Sequence, residues 1–374
     1  MIYLDNAATT KMDSQVLEAM LPYLSESYLN PSAFYQGAVK IRMQVEGARR
    51  SIAEKLGVPS DTIFFTSGGT ESDNWAIRLA AQLQCEKGKH IITCAIEHPA
   101  VLNTFKYLQE NGYDVTYVGV DRSGRIDLTQ LKESIREDTV LISIMHANNE
   151  LGTIEPIEEI GQIAHEKDIL FHTDAVQTFG HIPIDVDGCN IDLMSVSGHK
   201  LYGPKGIGFL YIRDRRRFGR LHFGGSQEKG LRPGTENVPG IIGLSKAVEI
   251  AYDRLEQDIT SVSALRDLFA AEIKKAIPGV CINGDNEHHL PGTVNVTFKG
   301  ILGESLLIAL DQSGICASAG SACSAGAIEP SHVLIACGLT PDEAGRTLRF
   351  SIGRNNTPEE ILKTISVLKT ICRV

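Results

Sequence analysis

The sequence predicts a layered α/β fold with a mostly parallel sheet, and three observations support this prediction. Short apolar runs alternate with helical patterns along most of the chain, which is typical of strands and helices that follow one another in a layered fold. The run Val140-Leu-Ile-Ser-Ile-Met145 is almost continuously apolar, as expected for a strand that is covered on both faces. The chain has 374 residues, and at roughly 150 residues per domain this length predicts more than one folding unit.

Seven strands are predicted in the first part of the chain, with helices between them. The strands are expected at residues 63–66, 90–95, 114–118, 140–145, 169–173, 193–197 and 208–212. Apolar residues at helical spacing predict helices between them, for example at 71–83 and 157–167. We therefore expect a large domain over residues 15–255. Residues 1–14 are expected to form an N-terminal segment that packs near the active site and near a second, smaller domain.

The sequence changes character after about residue 255, where that smaller domain is predicted. The charged amphipathic segment 265–276 and the alternating strand 293–298 indicate an α+β domain over residues 256–374. The last helix has a well-marked start. Thr357 is the predicted N-cap, Pro358 takes the first helical position, and Glu360 follows three residues after the cap, which is the pattern of a capping box.

Composition and charge exclude several classes of function. The chain has 36 basic and 46 acidic residues, a formal net charge of -10, so neither nucleic acid nor an anionic membrane is expected as a direct partner. No apolar run approaches the roughly 20 residues of a membrane-spanning helix, and the N-terminus MIYLDNAATT carries no secretory signal. The eight cysteines include no CxxC pair, which argues against a disulfide framework or a zinc site. A reduced, cytoplasmic protein without a resident metal is therefore expected.

The first motif with chemical meaning is Thr66-Ser-Gly-Gly-Thr-Glu71, which follows a predicted strand and opens a predicted helix. Glycines let backbone amides approach an anion, and a helix N-terminus carries partial positive charge, so the segment is a candidate phosphate site. A capped strand-to-helix turn explains the same residues when the motif is taken alone. The motif lacks the lysine of a Walker A loop.

Two charged residues follow at the ends of later strands. Asp174 lies at the carboxyl end of a buried strand, where open α/β sheets place their ligands. Its carboxylate needs a partner, which is either the protonated ring nitrogen of pyridoxal phosphate (PLP) or a structural salt bridge. Lys200 comes 26 residues later in a turn with Ser197 and His199, and a lysine at this place can form a Schiff base. Lys205 is the rival, but its Gly-Pro-Lys-Gly turn is more simply explained as exposed.

A cysteine in a loop of small residues is the fourth candidate. Cys323 lies in the segment ASAGSACSAGA, residues 317–327, whose composition cannot build a core. A reactive thiol that moves with its loop is therefore expected. Cys316, at the end of the predicted strand Ile315-Cys-Ala-Ser, is the alternative nucleophile. Cys85, Cys94, Cys189, Cys281 and Cys337 are expected to pack or to be inert.

Together these motifs resemble the cysteine desulfurases of the NifS/IscS-like group, within the class V aminotransferases and fold type I of the PLP enzymes. The resemblance extends along the whole chain. It rests on the segments YLDNAATT, TSGGTESDN, EHPA, HANNELGTIEPI, HTDAVQTFG, SGHKLYGPKG, RPGTEN, SAGSACSAG and LRFSIGR. It implies a large domain with a mostly parallel seven-stranded sheet between helices and a smaller C-terminal α+β domain that carries the cysteine loop.

The resemblance also implies roles for individual residues. Lys200 would bind PLP covalently, Asp174 would pair with the ring nitrogen, and Gln177 would contact the ring hydroxyl. His98 would stack on the ring and take part in catalysis. The phosphate would be held by Gly69, Thr70, Ser197 and His199, and by Thr235 of a neighbouring subunit. Asn149 would contact cofactor and substrate, and Arg349 would bind the substrate carboxylate.

The implied reaction converts L-cysteine to L-alanine, with the sulfur captured as a persulfide on Cys323. The partners implied are a second copy of the chain and a sulfur acceptor, such as an iron–sulfur scaffold or a tRNA-thiolation enzyme; Cys323 would contact a cluster iron only transiently. One departure from the family pattern is Tyr35, which replaces a histidine in Asn30-Pro-Ser-Ala-Phe-Tyr35. The alternatives are a selenocysteine lyase, a class V aminotransferase on the same scaffold, or a silent adaptor.

Overall fold

The computed structural model describes residues 1–215, 219–319 and 330–372. Within these ranges the strands are β1 Ile2–Tyr3, β2 Ile63–Thr66, β3 His90–Cys94, β4 Asp114–Val118, β5 Thr139–Ser143, β6 Leu170–Asp174, β7 Leu193–Ser197, β8 Gly208–Ile212, β9 Cys281–Asn283, β10 Thr293–Thr297, β11 Ile315–Cys316 and β12 Thr347–Ser351. The helices are α1 Ser14–Ser25, α2 Gln36–Leu56, α3 Gly69–Leu83, α4 Pro99–Glu110, α5 Leu128–Ser134, α6 Ile157–Glu166, α7 Val238–Asp253, α8 Leu255–Ala276, α9 Gly303–Gln312, α10 His332–Ala336, α11 Pro341–Ala344 and α12 Pro358–Ile371. None of these helices combines the length and the apolar character needed to cross a bilayer.

The predicted seven strands form one sheet in the order β2-β8-β7-β6-β5-β3-β4. The pairs β7-β6, β6-β5, β5-β3 and β3-β4 are parallel, and only β8 runs antiparallel to its two neighbours. The prediction of a mostly parallel sheet is thus confirmed. Three strands differ from their predicted bounds by one or two residues. β3 ends at Cys94 instead of residue 95, and β5 is Thr139–Ser143 instead of 140–145, because its pairing with β3 and β6 ends at Ser143. β6 is Leu170–Asp174 instead of 169–173, because Asp174 still pairs with Ser195.

Helices cover both faces of this sheet, so its inner strands are buried along their whole length. Every residue of β3, β5, β6, β7 and β8 is buried. Alternate residues point to opposite faces. One face packs against α3 and α4 through side chains such as Phe64, Leu141 and Leu210, and the other packs against α2, α6 and α7. The carboxyl ends of β5, β6 and β7 therefore meet at one edge, between two helical layers.

A second hydrophobic core involves the antiparallel sheet β12-β10-β9 and the helices α8, α9 and α12. Ile2 and Leu4 at the N-terminus belong to this core, and β1 pairs with β11. The capping box of α12 is formed as predicted: Thr357 accepts from the Glu360 amide, and the Glu360 carboxylate accepts from the Thr357 amide. Helices α10 and α11 instead pack against the core that lies between the seven-stranded sheet and helices α2, α6 and α7. The division into domains at residues 14 and 255 remains a prediction.

A buried ion pair fixes the segment that precedes Thr235. The guanidinium of Arg49, in α2, donates to both carboxylate oxygens of Glu228 over 2.7 Å, and both side chains are almost fully buried. Glu228 Oε2 also accepts from the Phe65 amide at 2.9 Å, and Arg49 Nη1 donates to the Ile63 carbonyl at 2.7 Å. These contacts hold the segment against the edge strand β2.

Glu228→Gln is expected to lower the free energy of unfolding by about 3 kcal/mol, because it removes the buried counter-ion of Arg49 and leaves only the more distant, exposed Glu46 carboxylate at 3.3 Å. A matched control is Asp253→Asn, since Asp253 pairs with Lys55 over the same 2.7 Å but on the surface. The control should cost no more than about 1 kcal/mol. Denaturant unfolding of the two variants measures the difference. Equal losses in both would show that burial of the Arg49 pair has no special importance.

Candidate active site

A cavity of about 360 Å³ opens at the carboxyl end of the parallel strands. It gathers nine of the predicted cofactor residues and Arg349 in one place. Those ten residues are Gly69, Thr70, His98, Asn149, Asp174, Gln177, Ser197, His199, Lys200 and Arg349. They come from segments up to 280 residues apart, since Gly69 and Arg349 both line the wall. The parallel sheet brings them together because the strands that precede most of them end at the same edge.

One end of the cavity is built by the start of α3. Gly68 has φ +147°, a conformation that favours glycine. A Cβ on Gly69 would lie only 2.7 Å from Val176 Cγ2, so a side chain there would intrude on the opposite wall. The first amides of a helix have no intrahelical partner and carry partial positive charge. Ser197 and His199 line the same cavity, and this arrangement is suited to a phosphate group.

Lys200 reaches the cavity from the turn that follows β7. Its Nζ donates to the carbonyl oxygens of Ala7 at 2.6 Å and Ala8 at 2.9 Å. Gln177 Nε2 donates to the same Ala7 carbonyl at 3.1 Å. The N-terminal segment is held here in turn, because Thr10 donates its amide and its hydroxyl to the His199 carbonyl. The amine of Lys200 therefore has a fixed position in the wall.

Asp174 is the last residue of β6, and its carboxylate is buried at the cavity wall. Oδ1 accepts from the Val176 amide at 2.9 Å. Burial raises the pKa of Asp174, whereas the nearby His98 and Lys200 act in the opposite direction. A buried carboxylate with one backbone donor is well suited to a cationic partner in the cavity, such as a protonated ring nitrogen.

His98 is the N-cap of α4, and its Nδ1 accepts from the Ala100 amide at 3.1 Å. Burial lowers the pKa of His98, although the charge of Asp174 opposes this shift. A neutral imidazole whose Nδ1 accepts a hydrogen bond carries its proton on Nε2. His199 is also kept neutral, since burial and the charges of Lys200 and Lys205 lower its pKa to about 4.

Arg349, in β12, contributes a guanidinium from the second core to the cavity. Nη2 donates to Asp5 Oδ1 at 2.8 Å, and Nη1 donates to the Asn149 carbonyl at 2.9 Å. Its Nε is buried without a hydrogen-bond partner in the described ranges. Because a guanidinium has five N–H donors, three remain available for a carboxylate.

Comparisons with known proteins find similar proteins along nearly the whole chain. The family model described as aminotransferase class-V matches residues 2–363. A relative from Dictyoglomus turgidum, described as cysteine desulfurase IscS, is 49% identical over 99% of this chain and 94% of its own. A solved structure described as a NifS-like protein is 40% identical, with a TM-score of 0.93 over 99% of this chain and 98% of its own. Another, described as SspA in complex with cysteine, is 43% identical, with a TM-score of 0.84 over 96% and 100%.

The chain belongs to the class V aminotransferase family and, within it, to the cysteine desulfurases. The fold is fold type I of the PLP-dependent enzymes, as the resemblance implied. PLP is accordingly the cofactor of this desulfurase, and the cavity fits it. Gly69 has no side chain to fill the space beside Val176, which leaves room for the phosphate. The Asp174 carboxylate is suited to pair with the ring nitrogen, and the Lys200 side chain carries an amine for covalent attachment.

Several residues of the cavity were not predicted. Asp73 of α3 lines it with only 1% of its surface exposed, and Glu150 and His332 line it as well. Glu150 Oε2 accepts from the Ser331 hydroxyl at 2.6 Å, and His332 Nε2 donates to the Glu97 carbonyl at 3.0 Å. None of the three has a local sequence signal, because the direction of each side chain depends on how its helix or loop packs against the sheet.

Other predicted residues lie elsewhere. Thr235 is exposed and lines a separate pocket with Ser67 and Gly234. Cys316 is half-buried in β11, where it pairs with Tyr3. Cys323 lies outside the described residues. Tyr35, at the start of α2, is exposed and is not among the residues that line the cavity.

Gly69→Ala is expected to weaken PLP binding about tenfold or more, because the added Cβ would meet Val176 at 2.7 Å beside the phosphate end of the cavity. Gly47→Ala is the matched control, since a Cβ there has no atom nearer than Arg50 Nη2 at 3.9 Å. The control lies inside α2 and should be neutral or slightly stabilising. Titration of cofactor-depleted protein with PLP gives both affinities. An unchanged affinity in Gly69→Ala would show that the phosphate does not bind at this end of the cavity.

Proposed function

We propose that this chain is a PLP-dependent desulfurase that converts L-cysteine to L-alanine and captures the sulfur as a persulfide on Cys323. The observation that supports this proposal most directly is that the Lys200 amine, the Asp174 carboxylate and the Arg349 guanidinium line one cavity. The descriptions of the relatives support this choice over the selenocysteine lyase and the aminotransferase. A silent adaptor would have no use for this set of groups.

The residues proposed to hold the cofactor are Gly69, Thr70, His98, Asn149, Asp174, Gln177, Ser197, His199 and Lys200. When bound, PLP draws electrons from the substrate and so eases loss of the Cα proton and cleavage of the Cβ–S bond. Asp174 strengthens this effect by keeping the ring nitrogen protonated. The first amides of α3 compensate the phosphate charge. Gln177 is oriented by its hydrogen bond to the Ala7 carbonyl.

Arg349 and Asn149 are proposed to bind the substrate. Asp5 and the Asn149 carbonyl fix the guanidinium plane, which leaves Nε and two further N–H groups for the carboxylate of L-cysteine. A paired guanidinium costs less to bury than an unpaired one, and it needs little reorganisation when the substrate arrives. The cavity can thus select an amino acid by its carboxylate.

Proton movement is proposed to involve Lys200 and His98. The Ala7 and Ala8 carbonyls hold Nζ of Lys200 inside the cavity, where the amine can take up the Cα proton. His98 is neutral with its proton on Nε2, so this N–H can donate a hydrogen bond to the reacting atoms. Lys200 therefore offers the base, and His98 offers a hydrogen-bond donor, in the same cavity.

The sulfur step needs a thiol, and Cys323 is proposed to supply it. Its sulfur attacks the substrate sulfur, the S–S bond forms, and the Cβ–S bond breaks. The electron pair of the broken bond takes up a proton at Cβ, which yields alanine, so no external oxidant or reductant is needed. Cys316 is a poorer candidate, because its backbone is fixed by the β1-β11 pairing.

Cys323→Ala is expected to lower alanine and persulfide formation from L-cysteine by two orders of magnitude or more, since the acceptor thiol is lost. The cofactor absorbance should remain, because the proposed PLP ligands are untouched. Cys316→Ala is the control and should keep activity within about threefold, with at most a small packing loss. Peptide mapping after one turnover locates the sulfur. A persulfide on Cys316 would contradict the assignment.

A homodimer is proposed because Thr235 lies outside the cavity of its own chain. Arg232 pairs with Glu71 through hydrogen bonds of 2.8 and 3.1 Å, which holds the Thr235 segment close to the start of α3. Across a two-fold axis, such a segment can complete the phosphate site of the partner. An apolar stripe on α1, formed by Leu17, Leu21 and Leu24, is exposed and supports self-association.

Thr235→Ala is expected to weaken PLP retention several-fold while leaving the dimer intact, because one hydroxyl donor to the phosphate is lost. Thr260→Ala, at an exposed position in α8, is the control and should retain PLP as the wild type does. Light scattering gives the mass, and absorbance after gel filtration gives the cofactor content. A fully active monomer would refute the shared site.

The remaining parts of the proposal concern partners and organisation. The acceptor of the Cys323 persulfide is proposed to be an iron–sulfur scaffold or a tRNA-thiolation enzyme, in the cytoplasm. The large domain would span residues 15–255 and the small domain residues 256–374, with residues 1–14 joining them. The hydrogen bonds of the N-terminal segment to Lys200, to His199 and to the Ser351 carbonyl support this last role.

A further inference from the structure

A line of polar side chains crosses three neighbouring strands on the face of the sheet that α3 covers. On β5, β6 and β7, the residues Leu141, Leu170 and Leu193 face α3. Two positions further along each strand, on the same face, come Ser143, His172 and Ser195. All three are fully buried. Buried polar groups in such a layer need partners, and the proposed function gives these three no role.

These side chains form a continuous chain of hydrogen bonds that ends at Asp73. His172 Nδ1 lies 2.8 Å from Ser143 Oγ, and His172 Nε2 lies 3.0 Å from Ser195 Oγ. Ser195 also acts on Asp73 as a hydrogen-bond partner that lowers its pKa, and Asp73 Oδ1 lies 3.6 Å from His172 Nε2. This Oδ1 is buried and has no hydrogen-bond partner of its own in the described ranges. Asp73 also lines the cavity, next to Asp174.

Among the described residues, the groups that act on the pKa of Asp73 provide no positive charge. From β6 it meets Asp174 and His172, and from β7 it meets Ser195. Glu97, in the connection before α4, feels its charge as well. Burial lowers the pKa of His172 to about 3, so this imidazole is neutral. Burial and the charge of Asp174 raise the pKa of Asp73 well above its usual range, and the Ser195 hydrogen bond opposes this only in part.

Asp174 differs from Asp73 in what surrounds it. It accepts from the Val176 amide, and both His98 and Lys200 favour its ionised form. Two adjacent buried carboxyl groups cannot both ionise at low cost. When the pair binds one proton, ionisation of Asp174 is therefore favoured, and the proton is favoured on Asp73.

We infer that Asp73 is a positioning residue that carries one proton, held in place by Ser195, His172 and Ser143, so that Asp174 stays anionic and directed into the cavity. The inference rests on the proposed role of Asp174 toward the ring nitrogen and deepens it. Protonated Asp73 donates to Ser195 Oγ, Ser195 donates to His172 Nε2, and His172 Nδ1 donates to Ser143. Loss of the Asp73 proton reverses the direction of all three bonds without moving a heavy atom.

Infrared spectroscopy of the full-length holoprotein at pH 7 tests this directly, since a protonated carboxyl group has a carbonyl stretch apart from those of carboxylates. The difference spectrum between wild type and Asp73→Asn should contain that band. Ser195→Ala keeps the carboxyl group but removes its hydrogen bond, so the band should remain and shift. Asp311→Asn, at an exposed position, should give no such band. The inference would be overturned if the band is absent from the difference between wild type and Asp73→Asn, or if its frequency does not change in Ser195→Ala.

The pH dependence of stability gives a second readout that a merely structural Asp73 would not move. A folded-state pKa above the unfolded value of about 4 means that the folded chain holds one more proton between these two pKa values. The stabilisation is fully present below about pH 4 and is lost as the pH rises toward the folded pKa. Asp73→Asn removes this contribution, so its unfolding constant should rise up to about tenfold less per pH unit between pH 5 and the folded-state pKa of Asp73. An unchanged slope contradicts the inference.

Cofactor retention separates this inference from the proposed function. Asp73→Asn replaces one neutral group by another and should keep PLP affinity within about threefold, whereas Asp174→Asn should lose it by tenfold or more. If Asp174→Asn also keeps its affinity, the proposed ring contact fails while the infrared result for Asp73 still stands. If Asp73→Asn alone loses PLP, Asp73 is itself the charged partner and the inference is wrong.

Discussion

The burial of the Asp174 carboxylate at the carboxyl end of β6 is the constraint on which the rest of the site depends. A charge in this position is costly unless it meets a cation or several donors, and the surrounding structure is arranged accordingly. The Val176 amide supplies one donor, and the Lys200 amine and the His98 imidazole approach through the cavity. On the α3 side, burial keeps His172 neutral and raises the pKa of Asp73, which favours the negative charge on Asp174.

The N-terminal segment links the two hydrophobic cores to this charge. Leu4 is anchored in the second core, Asp5 pairs with Arg349, and the Ala7 and Ala8 carbonyls accept from Lys200. A stretch of five residues therefore fixes both the proposed substrate-binding guanidinium and the amine. Backbone carbonyls are suited to this task, since they hold the amine without adding a negative charge that would compete with Asp174. Displacement of this segment would therefore release both the Arg349 guanidinium and the Lys200 amine from their hydrogen bonds.

Much of the site could be read from the sequence because its residues follow strands. Asp174 and Lys200 stand directly after apolar runs, and parallel strands bring such positions to one edge. The glycines at 68 and 69 precede a helical pattern, which indicates an anion site. Asp73, Glu150 and His332 could not be found in this way. Each enters the cavity from a helix or a loop, and its direction depends on how that element packs, which no local pattern encodes.

Local sequence patterns were enough to predict the α/β fold class, the strands along the chain, the capped last helix and the residues that are proposed to perform the chemistry. These follow from local rules, because hydrophobic periodicity and turn residues act over a few positions. The tertiary structure alone decided which charges are paired. Arg349 meets Asp5 across 344 positions, and Asp73 meets His172 only because α3 packs on that face of the sheet. Such pairs depend on burial and on contacts between distant segments, and these exist only once the layers have packed.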